Sequence, residues 1–240
     1  MTDPAQVTDP GRREELALRL AEVRCRIAKA CEAAGRDVSE LTLIAVTKTR
    51  PASDVRLLSE LGLADVGENR DAEAAPKAAQ CADLDLTWHF IGQLQTNKCA
   101  SVVRYASVVH SVDRLRLVRA LGRAACGAGR VIECLVEVSL DGDPARGGVV
   151  ADEVPALAEA LAAEEGLVLG GVMAIAPLAM APADAFARLL VSAAAVRSVR
   201  PAATVISAGM SGDLEAAVEV GATHLRIGTA LLGDRRPGVR

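Results

Sequence analysis

The chain has 240 residues, 51% of them hydrophobic, which suits one sizeable core and matches the size of a single α/β barrel. Its 27 Lys and Arg against 31 Asp and Glu give a net charge of -4, and two Phe, one Trp and one Tyr are all its aromatics. Nucleic-acid binding is excluded on that basis, because neither a basic footprint nor a set of stacking rings is present.

Residues 1–10 are polar and lack the charged and apolar regions of a signal peptide; they read as a flexible N-terminus ahead of one domain over 11–240. No apolar run reaches the length of a membrane span. Six cysteines are scattered without C-x-x-C spacing, so they read as thiols in a reducing compartment. The expected location is the cytoplasm.

Over residues 12–34, Leu16, Leu20, Val23, Ile27 and Cys31 recur every three or four positions, one face of an amphipathic helix that Pro10 would open. Short apolar runs then alternate with helical stretches. Strands are expected at 41–46, 64–67, 87–92, 108–112, 131–138, 167–173, 204–207 and 224–228. Helices are expected between them at 52–61, 70–81, 97–105, 114–126, 151–165, 182–199 and 213–220. Eight near-continuous Val/Ile/Leu strands separated by helices favour an α/β fold, a (β/α)8 TIM-type barrel with an extra N-terminal helix; a doubly wound open sheet is the alternative.

Such a barrel places its active groups where strands end. The polar residues at these ends are Lys48 after the first strand, Glu68 and Asn69 after the second, and His89 and Gln93 in and after the third. Ser111 and Asp113 follow the fourth, Ser207 the seventh, and Arg226 with Thr229 the eighth. A primary amine at a strand's C-terminal end is the group that the aldehyde of pyridoxal 5'-phosphate (PLP) needs to form a Schiff base. Most lysines in that position are solvated loop residues, so Lys48 alone is a weak signal.

The far end of the chain strengthens it. Residues 207–213, Ser-Ala-Gly-Met-Ser-Gly-Asp, form a turn that leads into a helix, where backbone N–H groups converge as they do on a phosphate. An ordinary helix N-cap by Ser211 or Asp213 explains the turn equally well. Arg226-Ile227-Gly228-Thr229 favours the phosphate, since loops after strands seven and eight of barrels often bind one. Arg226 is either an outward solvated residue or, sharing a strand face with Gly228, an inward one. His89, His110 and His224 lack metal-binding spacing and read as structural.

Ala45-Val46-Thr47-Lys48-Thr49, Gly67-Glu68-Asn69, Trp88-His89-Phe90-Ile91-Gly92, Leu94-Gln95-Thr96-Asn97-Lys98, His110-Ser111-Val112-Asp113, Gly171-Val172-Met173 and the two C-terminal segments follow one another in order. On these segments the chain resembles the pyridoxal phosphate homeostasis protein family, single-domain relatives of the alanine racemase barrel, from about residue 41 to 233. The resemblance implies PLP as cofactor and Lys48 as the Schiff-base lysine. It implies Asn69 near the cofactor, Arg226 against the pyridine nitrogen, and Ser207, Ser211, Gly228 and Thr229 around the phosphate. Arg146 stands where the family often has Lys; an arginine can hold a phosphate but forms no imine.

An arginine at the pyridine nitrogen leaves a weak electron sink. Racemisation also needs a second acid/base, and Tyr105, the single tyrosine, is expected in a helix. The expected function is therefore non-catalytic: binding PLP as a Schiff base, and buffering or delivering it in vitamin B6 homeostasis. The expected partners are PLP and apoenzymes that require it, on a monomeric chain. The alternatives are a weakly active PLP-dependent amino-acid racemase and a sugar-phosphate barrel with Lys48 as an aldolase-like residue.

Overall fold

Each apolar run becomes one strand of a closed parallel barrel whose strands lie side by side in chain order. The computed structural model describes residues 10–143 and 146–234. The strands are β1 (Thr42–Val46), β2 (Asp65–Glu68), β3 (Thr87–Phe90), β4 (Val108–Val112), β5 (Ile132–Glu137), β6 (Leu167–Met173), β7 (Val205–Ser207) and β8 (His224–Ile227). The helices are α1 (Pro10–Ala34), α2 (Ala52–Glu60), α3 (Asp71–Gln80), α4 (Cys99–Val102), α5 (Leu115–Gly127), α6 (Val154–Ala163), α7 (Pro182–Val199), α8 (Leu214–Glu219) and α9 (Thr229–Leu232). Because β1 pairs with both β2 and β8, the sheet has no edge, and the open-sheet alternative falls. The flexible segment expected over residues 1–10 lies outside the described residues except for Pro10, which opens α1.

Helix α1 buries the stripe formed by Leu16, Leu20, Val23, Ile27 and Cys31 and packs against α8 and α9. Burial of each large apolar side chain contributes roughly 1.5–3 kcal/mol. Polar ties fix its register: Arg12 donates to the Leu232 carbonyl and pairs with Asp54, while Arg26 pairs with Glu215.

Alternation along the strands decides which residues see the barrel interior. On β1 the even positions face inward, since Ile44 and Val46 approach Gly67, and the same parity carries Lys48 inward just beyond the strand. Leu135 of β5 and Met173 of β6 form an apolar interior cluster with Val108 of β4, and Val205 of β7 packs on it. The remaining interior positions are polar, among them Asp65, His89, His110, Ser207 and Arg226. Between β5 and β6 the register shifts after Cys134, and there a Cβ on Gly171 would fall 1.9 Å from the Val205 carbonyl oxygen. Only glycine permits that approach.

Two expectations need correction. The helix expected over 97–105 is a 3-10 turn, Thr96–Lys98, followed by α4, which ends at Val102. After Val103, whose amide still reaches Cys99, the amides of Arg104 and Tyr105 bond three residues back, to Ser101 and Val102, so the chain tightens into a turn and Tyr105 lies outside any helix. Strand β3 ends at Phe90, two residues earlier than expected, because Gly92 is already in the loop. Among the described residues no helix is long and apolar enough to cross a membrane, no acidic, His or Cys cluster could hold a metal ion, and all six cysteines are free.

Candidate functional site

A cavity of about 510 Å³ opens at the C-terminal ends of the strands. Its wall includes Lys48, Asn69, Ser211, Arg226, Gly228 and Thr229, so six of the seven residues singled out in the sequence meet there. Ser207 does not. It is fully buried beneath the cavity, where its Oγ accepts from Arg226 Nη1 at 2.6 Å and lies 3.0 Å from His110 Nδ1. A hydroxyl so placed on the inward face of β7 does not reach a ligand on the rim, and its expected place around a phosphate is withdrawn.

The backbone that presents Lys48 is held from below. Thr47, one residue earlier, points outward between barrel and α3, and its carbonyl accepts from Lys77 Nζ at 2.8 Å. Lys77 also donates to Glu68 Oε1 at 2.5 Å, and the Thr47 hydroxyl donates to the same oxygen at 2.6 Å. Glu68 is fully buried, and burial pushes its carboxyl above the ordinary range against the pull of Lys77. One residue after Lys48 the chain turns through a positive φ of 63° at Thr49. A β-branched residue in that region is strained, and the Thr49 amide is anchored by donation to Glu73 Oε2 at 3.0 Å. Lys48 therefore projects from a segment fixed on both sides.

Asn69 is positioned by contact with glycine. A Cβ on Gly92 would stand 2.2 Å from the Asn69 carbonyl oxygen, so the loop after β3 presses on the loop after β2.

On the opposite wall the loops after β7 and β8 are joined: the Ala230 amide donates to Ser211 Oγ at 3.1 Å, leaving the Ser211 hydroxyl hydrogen to donate elsewhere. The amides of Ser211 and Gly212 carry no hydrogen bond among the described residues. Asp213 is the N-cap of α8 but caps no helix amide; its carboxylate accepts from Met210 and closes the turn. The simple N-cap reading thus explains the position and leaves the hydroxyl and amides unaccounted for.

Arg226 is inward and buried, which settles its orientation. Its Nη2 donates to the Ala174 carbonyl at 2.8 Å. Burial lowers its pKa to about 10, opposed by Asp213 and Glu137. Tyr105 is absent from the cavity wall: its hydroxyl lies 3.4 Å from Asp71 Oδ1 and its ring meets Trp88 edge-on. Arg146 is tied to Asp141 and to the Ile175 carbonyl and stands off the main cavity.

Glu137 was not anticipated. It ends β5, faces inward by the same parity as Leu135, lines the cavity and leaves Oε2 without a partner. Burial first, then Asp113, pushes its pKa up to about 7. Between the ordinary carboxylate value and that value the folded chain keeps a proton that the unfolded chain releases, so stability falls as pH rises through this window. At 1.36 kcal/mol per pKa unit, reduced for water in the cavity, the loss is roughly 1–3 kcal/mol. Glu137→Gln is expected to flatten the decline, measured by urea unfolding below and above the window. An unchanged slope would show that Glu137 is not the group responsible.

The model of the alanine racemase N-terminal domain matches residues 19–236 of this chain. The pyridoxal phosphate homeostasis protein of Mycobacterium tuberculosis H37Rv is 45% identical over 247 residues, covering 95% of each protein. That of Pseudomonas aeruginosa PAO1 is 42% identical and covers 93% of this chain and 97% of its own. The structure of PipY from Synechococcus elongatus PCC7942 with PLP bound is 35% identical, with a TM-score of 0.79 over 91% of this chain and 100% of PipY. By matching that domain along its length and these relatives over nearly all of theirs, the chain belongs to the alanine racemase N-terminal domain family and, within it, to the pyridoxal phosphate homeostasis proteins.

Proposed function

We propose that the cavity binds pyridoxal 5'-phosphate through Lys48 and that the protein serves PLP homeostasis, holding the cofactor and passing it to apoenzymes, without turnover of its own. The observation that carries this reading is the meeting of Lys48, Arg226 and the Ser211–Thr229 wall in one cavity of about 510 Å³. Bound there, the cofactor would supply an aldehyde for an amine and a dianionic phosphate. The fit is chemical: Lys48 offers the amine, and the Ser211 hydroxyl with the amides of Ser211 and Gly212 offers donors of the kind that phosphate takes. Asn69 and Thr229 add polar atoms to the same wall, and Gly228 leaves it open, with no atom nearer than 3.7 Å to the place of a Cβ. The PLP bound to PipY, a relative over the same length, supports the choice of ligand.

Arg226 argues for holding rather than turnover. A guanidinium has only donors, so a ring nitrogen held beside it would accept a hydrogen bond and stay unprotonated, which would weaken the ring as an electron sink. One observation favours the weak-racemase alternative: Glu137 places a carboxyl with a pKa of about 7 on the cavity wall, suited to acid/base work. A chirality and product assay with saturating PLP and the common amino acids separates the two. The expected result is no turnover near the 1–10³ per second typical, roughly, of enzymes. Turnover in that range, lost in both Lys48→Ala and Glu137→Gln, would establish the racemase instead.

A further inference from the structure

The polar interior of the barrel forms one continuous chain of hydrogen bonds. His89 Nε2 lies 2.9 Å from Asp65 Oδ1, His89 Nδ1 lies 2.9 Å from His110 Nε2, and His110 Nδ1 lies 3.0 Å from Ser207 Oγ, which accepts from Arg226. The chain links two faces of the molecule. Arg226 lines the cavity at the strands' C-terminal ends, while Asp65 begins β2 and lines a separate cavity of about 320 Å³ beside α1. Its side chain is 28% exposed there, so water supports its charge. His110 and His89 between them are buried.

The direction of every bond follows from what each end can do. Arg226 can only donate, so Ser207 Oγ accepts from it and keeps its own hydrogen available for His110 Nδ1. A neutral His110 that accepts it carries its hydrogen on Nε2 and donates to His89 Nδ1. From the other end, the Asp65 carboxylate can only accept, so His89 carries its hydrogen on Nε2 and its Nδ1 is an acceptor. With both rings neutral the Asp65 end fixes this pair of tautomers, and the Ser207 end accommodates it. His224 stands aside, its ring 6.3 Å from that of His89 and its Nδ1 2.9 Å from the Thr223 hydroxyl.

We propose that Asp65, His89 and His110 are positioning residues for Arg226: a one-way relay, with both imidazoles neutral and protonated on Nε2, that aims the arginine and gives it a carboxylate counterion on the far side of the barrel. The two hydrogen-bond acceptors of Arg226, the Ser207 hydroxyl and the Ala174 carbonyl, are uncharged, so the relay adds a hydrogen-bonded path to a carboxylate beside the through-space fields of Asp213 and Glu137. The relay aligns the dipoles between cation and anion, and each bond polarises the next. Its effect on a bound ligand rests on the PLP reading above; the relay itself does not.

Nitrogen NMR of histidine-labelled protein, free of PLP and near neutral pH, tests the tautomers directly. Protonated Nε2 and bare Nδ1 are expected in both His89 and His110; an imidazolium at His89, or a hydrogen on Nδ1 of His110, would overturn the relay. Asp65→Asn provides the second arm, because an amide can donate as well as accept and so releases the constraint at that end. The variant is expected to alter the His110 nitrogen signals across the barrel and to weaken PLP binding roughly fivefold, the lower range of coupling between distant sites, with unchanged circular dichroism. His110 signals and PLP affinity both identical to wild type would refute the positioning role. If wild-type protein fails to bind PLP, the functional reading falls and the tautomers alone decide the relay.

Discussion

Lys77→Ala is expected to destabilise the protein by about 3–5 kcal/mol, the loss that follows removal of one partner from a buried ion pair. Lys77 and Glu68 are both buried, at 6% and 0% exposure, and their contact is 2.5 Å. Without the ammonium, Glu68 keeps one hydrogen bond from the Thr47 hydroxyl on Oε1 and none on Oε2, which already lacks a partner. The Thr47 carbonyl loses its donor as well. The pair does not stabilise the fold merely by being an ion pair, since taking two charges out of water offsets most of their attraction. The double variant Lys77→Met, Glu68→Gln is therefore expected to recover much of the loss. Urea unfolding of the single and double variants checks both statements; a single-variant loss under about 1 kcal/mol, the worth of an exposed pair, would mean that the site admits water.

The same cluster shows where sequence reading stopped. Glu68 was legible as a polar residue at a strand end, but alternation sends it outward, to α3, while Lys48 goes inward. The eight strands were legible because a parallel barrel buries both faces of each strand, leaving nearly continuous apolar runs. Helix α7 was bounded correctly at Pro182 and Val199, where a proline starts the helix and its apolar stripe ends. The region around Tyr105 misled because Cys99, Val102 and Val103 are all buried, which imitates a longer helical stripe. The 3-10 helix Val38–Glu40 was missed although Asp37 and Glu40 form a capping box that the sequence displays.

Six of the seven site residues that the family resemblance implied line the cavity, and strand ends and glycine-rich turns, both local features, had marked the same stretches. Ser207 failed because its partners are remote: His110 is 97 residues away and reaches it only across the barrel interior. The histidines were read one at a time as structural, and no spacing in the sequence announces that three strands bring Asp65, His89 and His110 into line. Glu137 could have been found by the parity argument applied to Lys48, since it ends an apolar run with its carboxyl on the inward face.

Lys48→Ala is expected to abolish covalent retention of PLP entirely. In wild-type protein, borohydride treatment after PLP addition should fix a pyridoxyl group on Lys48, and peptide mapping should find it nowhere else. Lys29 lies on α1, off the cavity wall, and the other two lysines are disqualified by position as well. Lys77 is buried, its amine engaged with Glu68 and the Thr47 carbonyl, and it lies off the cavity wall. Lys98 lies in the 3-10 turn after β3, 4.0 Å from Asp71 and off the cavity wall. Lys48 alone combines an inward position just past a strand with a backbone fixed on both sides, by Lys77 at Thr47 and by Glu73 at Thr49. In the alanine variant the donors around Ser211 and Thr229 remain, so free PLP should still bind, with an absorption spectrum lacking the band lost on reduction. A reduced adduct on Lys98, or one that persists in Lys48→Ala at wild-type yield, would move the aldehyde elsewhere and leave the inward parity of Lys48 without a chemical role.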